Sequence, residues 1–324
     1  VVDSFYTTYV GSFPLDYSVE SIKRIVCDVV DIGIDYPALP QLRSFIDMFM
    51  EPLVKANAVK PTLRGFTVSN LDNILGLKPS VPEYLYALNL LEGYRGRVKG
   101  VRVAVTGPFT LASQIYIDYE KIGLSGSILT VKNYTWRIVE YVYSIVKWVE
   151  GLGVNIICID EPILSVIVGR KLILFNYTVD EIIDMLNRVL NIGCLGAVHV
   201  CGVVSPQLAE ILLNTRAKIL DHEYHDTPRN FDIYGRGDVE KYDKLLSIGV
   251  VSSRSGRVES VDEVKSLISK SLNLYGSHVF MFKPDCGFAA LKGLFKRSED
   301  AYNVSIGKLK AIVEGVKLFR MFPT

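Results

Sequence analysis

The chain has 324 residues, 49% of them hydrophobic, a net charge of +1 and five cysteines. That is ample to bury a core, in one large α/β domain or two ordinary ones, and the even mixing of acids and bases excludes the one-sided basic field that nucleic acid demands. No run of about 18 apolar residues offers a membrane span, no leader pattern opens the chain, and an odd cysteine count in a long chain argues against a disulfide framework, so the expectation is a cytoplasmic protein with no membrane partner.

From the N-terminus, the β-branched run "TTYVG" (7–11) predicts a first strand and 18–32 the helix after it. "IDYP" (34–37) predicts the second strand. Residues 42–97 carry no clear strand–helix unit and read as a helical or irregular insertion. "VRVAVTG" (101–107) follows, with a helix over 129–150, then "NIICID" (155–160) and a helix over 178–191 that opens with Asp180 and Glu181. "AVHVC" (197–201), "ILDHEY" (219–224), "GVVSS" (249–253) and "HVFMFKP" (278–284) complete the strands, with helices at 205–214, 238–247, 261–273 and 300–319. Strand–helix alternation implies parallel strands. Eight such units predict a single (β/α)8 TIM barrel domain over 1–324, with the insertion between strands 2 and 3. A doubly wound sheet is the rival. It needs a glycine-rich phosphate turn after the first strand, and "GSFPL" does not supply one.

Barrels of this kind do their chemistry at the C-terminal ends of the strands. Those ends carry Gly11 and Ser12, Asp160-Glu161-Pro162, His199 and Cys201, Glu223 with Asp221 two residues deeper, Ser252-Ser253-Arg254, and Asp285-Cys286-Gly287. Alternation puts His199 and Cys201 on one face of their strand. An unpaired imidazole and thiol are costly in a barrel interior, and a metal satisfies both. His199, Cys201, Glu223 and Cys286, read as coming from successive strands, make a borderline-soft donor set that suits Zn²⁺. Taken singly, each also has a structural reading. Cys27 and Cys194 read as small hydrophobes, Cys158 as core filling, His222 and His225 as hydrogen-bonded structural residues, and His278 as surface.

The pattern His199-x-Cys201, then Glu223, then Pro284-Asp285-Cys286-Gly287, resembles the zinc motif of cobalamin-independent methionine synthases. "TTYVGSFP" (7–14), "VTGPFT" (105–110) and "IDEP" (159–162) match the same family in order, up to about residue 290. The resemblance implies the catalytic barrel alone, the short core type. It implies Zn²⁺ on His199, Cys201, Glu223 and Cys286, and homocysteine as methyl acceptor. Gly11 and Ser12 would lie along the homocysteine backbone, and Asp160 would bind its amino group. Read from the residue alone, Asp160 is equally a strand-end turn residue before Pro162.

The sequence departs from the family on the donor side. Full-length members carry a histidine in the loop after strand seven, where Arg254 stands here; arginine stays protonated and is no ready general acid. An aromatic and an acidic folate-contacting position fall at Gln114 and Val166. The methyl donor is therefore open between methyl-folate, a methyl-tetrahydropterin and a methyl-corrinoid protein, with a separate partner chain as one way to supply missing residues. Arg254 and Arg229 are candidates to grip donor carboxylates or phosphates. Two further readings stand beside this one: a uroporphyrinogen-decarboxylase-like barrel enzyme, and a non-catalytic zinc-binding barrel subunit.

Overall fold

The apolar runs become parallel strands because helices cover their outer face and the barrel lumen takes the other, so neither face meets water. The structure, a computed structural model, describes residues 5–118, 120–121 and 123–321. Its strands are β1 (Tyr6–Thr7), β2 (Val59–Thr62), β3 (Gly65–Val68), β4 (Arg102–Thr106), β5 (Ile115–Tyr116), β6 (Ile156–Asp160), β7 (Leu195–Val200), β8 (Ile219–His222), β9 (Leu245–Val251) and β10 (Val279–Pro284). The principal sheet has the order β1-β10-β9-β8-β7-β6-β4, and all its pairs are parallel.

The eighth stave closes this sheet into a barrel without being a regular strand. Tyr36 bridges to Thr8, Ser12 to Gln41, and Ala38 to Arg102. Pro37 and Pro40 interrupt this stave, and proline has no N–H to give a ladder. The Asp35 side chain takes over part of the work, accepting from the Thr7 N–H (2.8 Å) and hydroxyl (2.9 Å). The same irregularity shortens the first strand from the predicted 7–11 to Tyr6–Thr7.

Helices α1 (Val19–Ile32), α2 (Asp47–Lys55), α3 (Pro82–Glu92), α4 (Pro108–Ala112), α5 (Lys132–Gly151), α6 (Leu164–Ile167), α7 (Val179–Val189), α8 (Pro206–Leu213), α9 (Arg236–Lys241), α10 (Val261–Tyr275) and α11 (Ser298–Met321) surround or decorate the barrel. Ser18 caps α1, while Thr178 with Glu181 and Ser260 with Glu263 form capping boxes on α7 and α10. The helix predicted over 238–247 stops at Lys241. Asp243 takes φ 50°, which ends a helix, and the apolar run that follows belongs to β9. The segment 42–97 is only partly helical. It holds α2, the β2–β3 hairpin and α3, and β3 continues to β5 in a three-stranded sheet. Among the described residues no helix is long and apolar enough to cross a membrane.

Inside the barrel, Ile156, Cys158, Ala197, Ile219, Leu245, Phe280 and Met281 form a separate buried cluster. Most of them sit early in their strands, so they plug the N-terminal end and leave the C-terminal end as a blind cavity. At that end Glu161 is fully buried. It accepts from the N–H of Phe109 (2.8 Å) and of Thr110 (2.9 Å) and from the Thr110 hydroxyl (2.6 Å), which ties β6 to the start of α4. Gly107 makes room for it: a Cβ there would lie 2.3 Å from the Glu161 carboxyl carbon. Gly107→Ala is therefore expected to destabilise the fold by about 1–3 kcal/mol through overpacking, read as a lower denaturation midpoint at unchanged slope; an unchanged midpoint would show that the junction is slack.

Candidate metal centre and substrate cavity

The register of the ladder builds the site. Asp160 of β6 pairs with His199 of β7, and His199 with Asp221 of β8, so three inward-facing polar side chains lie at one level. Cys201 follows two residues after His199, just beyond the end of β7, and Cys286 lies just past the end of β10.

The ligating atoms of His199, Cys201 and Cys286 lie within 4.8 Å of one another. His199 Nε2 is 3.0 Å from Cys201 Sγ, which is 3.2 Å from Cys286 Sγ. The hydrogen bond between the two sulfurs is the main cause that lifts the Cys201 thiol and lowers that of Cys286. Two thiols and an imidazole nitrogen pointed at one another are donors without enough acceptors, and they fit a borderline-soft divalent ion.

Behind His199 sits a buried charged group. His199 Nδ1 is 2.6 Å from Asp221 Oδ1. Asp221 also pairs with Lys283 Nζ at 2.9 Å and with Arg102 Nη1 at 2.8 Å, and all these side chains are 0–1% exposed. Burial alone would raise Asp221, but Lys283, Arg102 and His199 hold it well below the usual carboxylate range. Burial would likewise lower His199, and Asp221 outweighs it, raising the imidazole to about 10. The sequence signal was present: arginine and lysine inside strands that are otherwise apolar, with Asp221 on the face of Glu223.

Glu223, the expected fourth ligand, is not within the close group. Its Oε1 accepts from Arg254 Nη2 at 2.7 Å, and its Oε2 from the Thr227 hydroxyl at 3.0 Å. Its charge nonetheless contributes to raising the Cys201 thiol. Nor do the donors come from successive staves, because β9 separates β8 from β10. Gly249 of β9 permits the close approach: a Cβ there would lie 2.0 Å from Asp285 Oδ1. Asp285 in turn accepts the N–H groups of Tyr224 (2.8 Å), His225 (3.0 Å) and Asp226 (2.6 Å), holding the loop that follows Glu223.

His199, Cys201 and Cys286 open onto a cavity of about 370 Å³, which Asp160, Ser12 and Gly287 also line. That is the size of a small-metabolite site, typically about 300–1,000 Å³. Asp160 Oδ1 is buried without a hydrogen-bond partner. Burial pushes this carboxyl up to about 6, against the opposing pull of His199 and Arg102. Phe13, Leu42 and Phe45 give the cavity an apolar wall. Gly11 is buried behind it, at φ 143°, and its carbonyl accepts from the Gln41 N–H at 3.0 Å. Ser12 presses on the loop after Cys286, and a Cβ on Gly287 would lie 2.1 Å from Ser12 Oγ.

On the donor side, Arg254 is exposed and not part of the cavity wall; Val166 and Arg229 are exposed as well. Gln114 Nε2 donates to the Ser113 hydroxyl at 3.0 Å. The other singled-out residues have structural roles. His222 is buried against the Tyr234 hydroxyl at 3.1 Å, and Cys158 accepts from Arg102 Nη2 at 3.1 Å. His225, Asp226 and Asp285 form a second close cluster, but Asp285 is taken up by backbone N–H groups and Asp226 by His225 and the Ser252 hydroxyl.

Comparison with known proteins gives a consistent result. The family described as "Cobalamin-independent synthase, Catalytic domain" matches residues 97–304. The methionine synthase of Methanocaldococcus jannaschii is 28% identical, over 97% of this chain and 99% of that one. That of Methanothermobacter thermautotrophicus is 26% identical, over 88% and 94%. Among solved structures, a B12-independent methionine synthase from Shewanella sp. W3-18-1 superposes with a TM-score of 0.70 at 18% identity, covering 98% of each chain. A methyltransferase from Methanosarcina mazei gives 0.66 at 15% identity, covering 99% of this chain and 95% of that one. At such identities the superpositions establish the barrel fold.

Alanine at His199 or at Cys286 is expected to abolish tight binding of a divalent metal ion while the circular dichroism of the barrel persists. Elemental analysis of the purified variants checks this; stoichiometric metal in either variant contradicts the assignment of the donor trio.

Proposed function

The chain belongs to the cobalamin-independent synthase family, matched over its catalytic domain, and on that premise we propose that it transfers a methyl group to the thiol of homocysteine, yielding methionine. One observation supports this above the rest. An acid with an unpartnered oxygen, Asp160, lines the same small cavity as the trio His199, Cys201 and Cys286. Homocysteine carries an ammonium at one end and a soft sulfur at the other, and the cavity offers a partner for each.

In this reading Asp160 takes the ammonium by a charge-assisted hydrogen bond. Ser12, through its N–H and hydroxyl, takes the carboxylate, with Gly11 shaping the backbone beneath it. Phe13, Leu42 and Phe45 pack the methylene arm and keep water from the sulfur. His199, Cys201 and Cys286 would hold Zn²⁺, with Glu223 as the fourth and exchangeable ligand. When bound, Zn²⁺ supplies the Lewis acidity that turns a thiol, ordinarily deprotonated near pH ~8.5, into a thiolate near neutral pH. Arg254 pairs with Glu223 and would give this buried carboxylate a partner whether or not it also holds the metal.

Arg254 also bears on the donor. It cannot hand a proton to a departing ring nitrogen, which favours a donor whose leaving group needs none, such as a methylated corrinoid carried by a protein. Methyl-folate and methyl-tetrahydropterin are the alternatives. A uroporphyrinogen-decarboxylase-like reaction leaves the donor trio without a task.

The deciding experiment offers homocysteine with methyl-folate, methyl-tetrahydropterin and methylcobalamin in parallel to the zinc-loaded protein; absence of methionine from all three argues against the assignment. Asp160→Asn is expected to raise KM for homocysteine about 10- to 100-fold, the worth of a hydrogen bond to a charged group, and to change kcat far less. Because the ionised form of Asp160 holds the ammonium, KM should fall as pH rises through about 6, and the asparagine variant should lack that step.

A further inference from the structure

A metal ligand is only as well placed as whatever holds its other end. His199 has two ring nitrogens, and only the one facing Cys201 and Cys286 can join them in holding an ion. The remaining nitrogen, Nδ1, faces Asp221 at 2.6 Å. Asp221 has no freedom of its own. Lys283 of β10 contacts one of its oxygens at 2.9 Å, and Arg102 of β4 the other at 2.8 Å. In the sheet order β4 stands three staves from β8, and β10 stands two staves away on the other side. The Arg102–Asp221–Lys283 group therefore braces the lumen from wall to wall, directly behind the donor trio. The cations are themselves tied down. Arg102 Nη2 donates to Cys158 Sγ at 3.1 Å, and Lys283 Nζ donates to the carbonyls of Pro284 and Asp285 at 3.0 Å each. Those two carbonyls immediately precede Cys286, so one lysine links the carboxylate behind His199 to the chain that carries the second thiol.

We infer that Asp221, clamped between Arg102 and Lys283, is a positioning residue for the metal centre: it fixes the tautomer and ring plane of His199, so that Nε2 meets Cys201 and Cys286 in a ready-made site. The inference rests on the proposed metal-dependent function and extends it to three residues that touch neither substrate nor metal. Two cations against one anion leave the brace with one net positive charge.

The test compares Lys283→Met with the double variants Asp221→Ala/Lys283→Met and Asp221→Asn/Lys283→Met. Each double variant removes one charge of each sign and so keeps the net charge of the brace. Zinc affinity is measured by competition with a chromophoric chelator, the Co²⁺-loaded visible spectrum reports the ligand field, and thermal midpoints report folding. Lys283→Met, which keeps the His199–Asp221 contact, is expected to stay within a few-fold of wild type. The alanine double variant is expected to bind zinc about 10- to 100-fold more weakly, the usual effect of losing the outer partner of a metal-binding histidine, with an altered Co²⁺ spectrum. The asparagine double variant keeps an oxygen that accepts from Nδ1 and should recover part of the loss; it also carries the comparison if the alanine protein does not fold. A purely structural role predicts lowered midpoints with the affinity and Co²⁺ spectrum of Lys283→Met in both double variants, and that result overturns the inference. If wild-type protein binds no zinc at all, the functional proposal fails together with it; if wild type binds and both double variants match Lys283→Met, only the positioning role fails.

Discussion

A charged side chain stays inside a barrel lumen only when another stave delivers its counter-charge at the same height. Everything at the C-terminal end of this barrel follows from that constraint. The ladder registers put Thr106 beside Asp160, Asp160 beside His199, His199 beside Asp221, and Asp221 beside Ser247. A one-residue slip in any pair would turn a polar side chain out among the helices. Removing one member of a buried ion pair typically costs about 3–5 kcal/mol, because the survivor stays charged and dry. The polar ring thus selects the register, and the register places the donor trio.

The lower half of the lumen serves the same end by opposite means. The plug of Ile156, Ala197, Ile219, Phe280 and Met281 excludes water from beneath the brace, so the ion pairs act at low dielectric, where their geometry is held most firmly. Above the brace, the cavity is narrowed by close backbone approaches that only glycine allows. Gly287 lets the loop after Cys286 lie against Ser12, and Gly107 lets Glu161 pin the start of α4. Rigid floor and pinched walls together keep the reactive side chains within reach of one small ligand.

The edge of the barrel around Glu223 is built differently. Arg254 is more than half exposed while its partner Glu223 is fully buried, so this ion pair spans the boundary between lumen and solvent. An exposed guanidinium is free to exchange partners in a way that the buried Arg102 is not. The family match over residues 97–304 spans Gln114, Val166 and Arg254 as well as Asp160, His199, Cys201 and Cys286, and of the former Val166 and Arg254 are exposed.

Much of this was legible along the chain. Strand–helix alternation named the barrel, and the polar strand ends pointed to Asp160, His199, Cys201 and Cys286, because both depend on local period and on side chains that an apolar lumen tolerates only for a reason; they pointed equally to Glu223 as a fourth ligand, which pairs with Arg254 instead. The helix predicted over 238–247 failed because Asp243 breaks it with a left-handed turn, a conformation that no local pattern announces. The strand predicted over 34–37, the irregular stave that closes the barrel, survives as isolated bridges because Pro37 and Pro40 cannot donate to a ladder, yet its neighbours on both sides still close on it. What the sequence by itself determined is which residues face inward and near which end. What only the tertiary structure decided is who meets whom. That Arg102 crosses the lumen to Asp221, that Lys283 joins them, and that Glu223 turns to Arg254 rather than to the thiols depends on the curvature of a closed sheet. Closure brings together staves whose separation along the chain carries no information about their distance across the barrel.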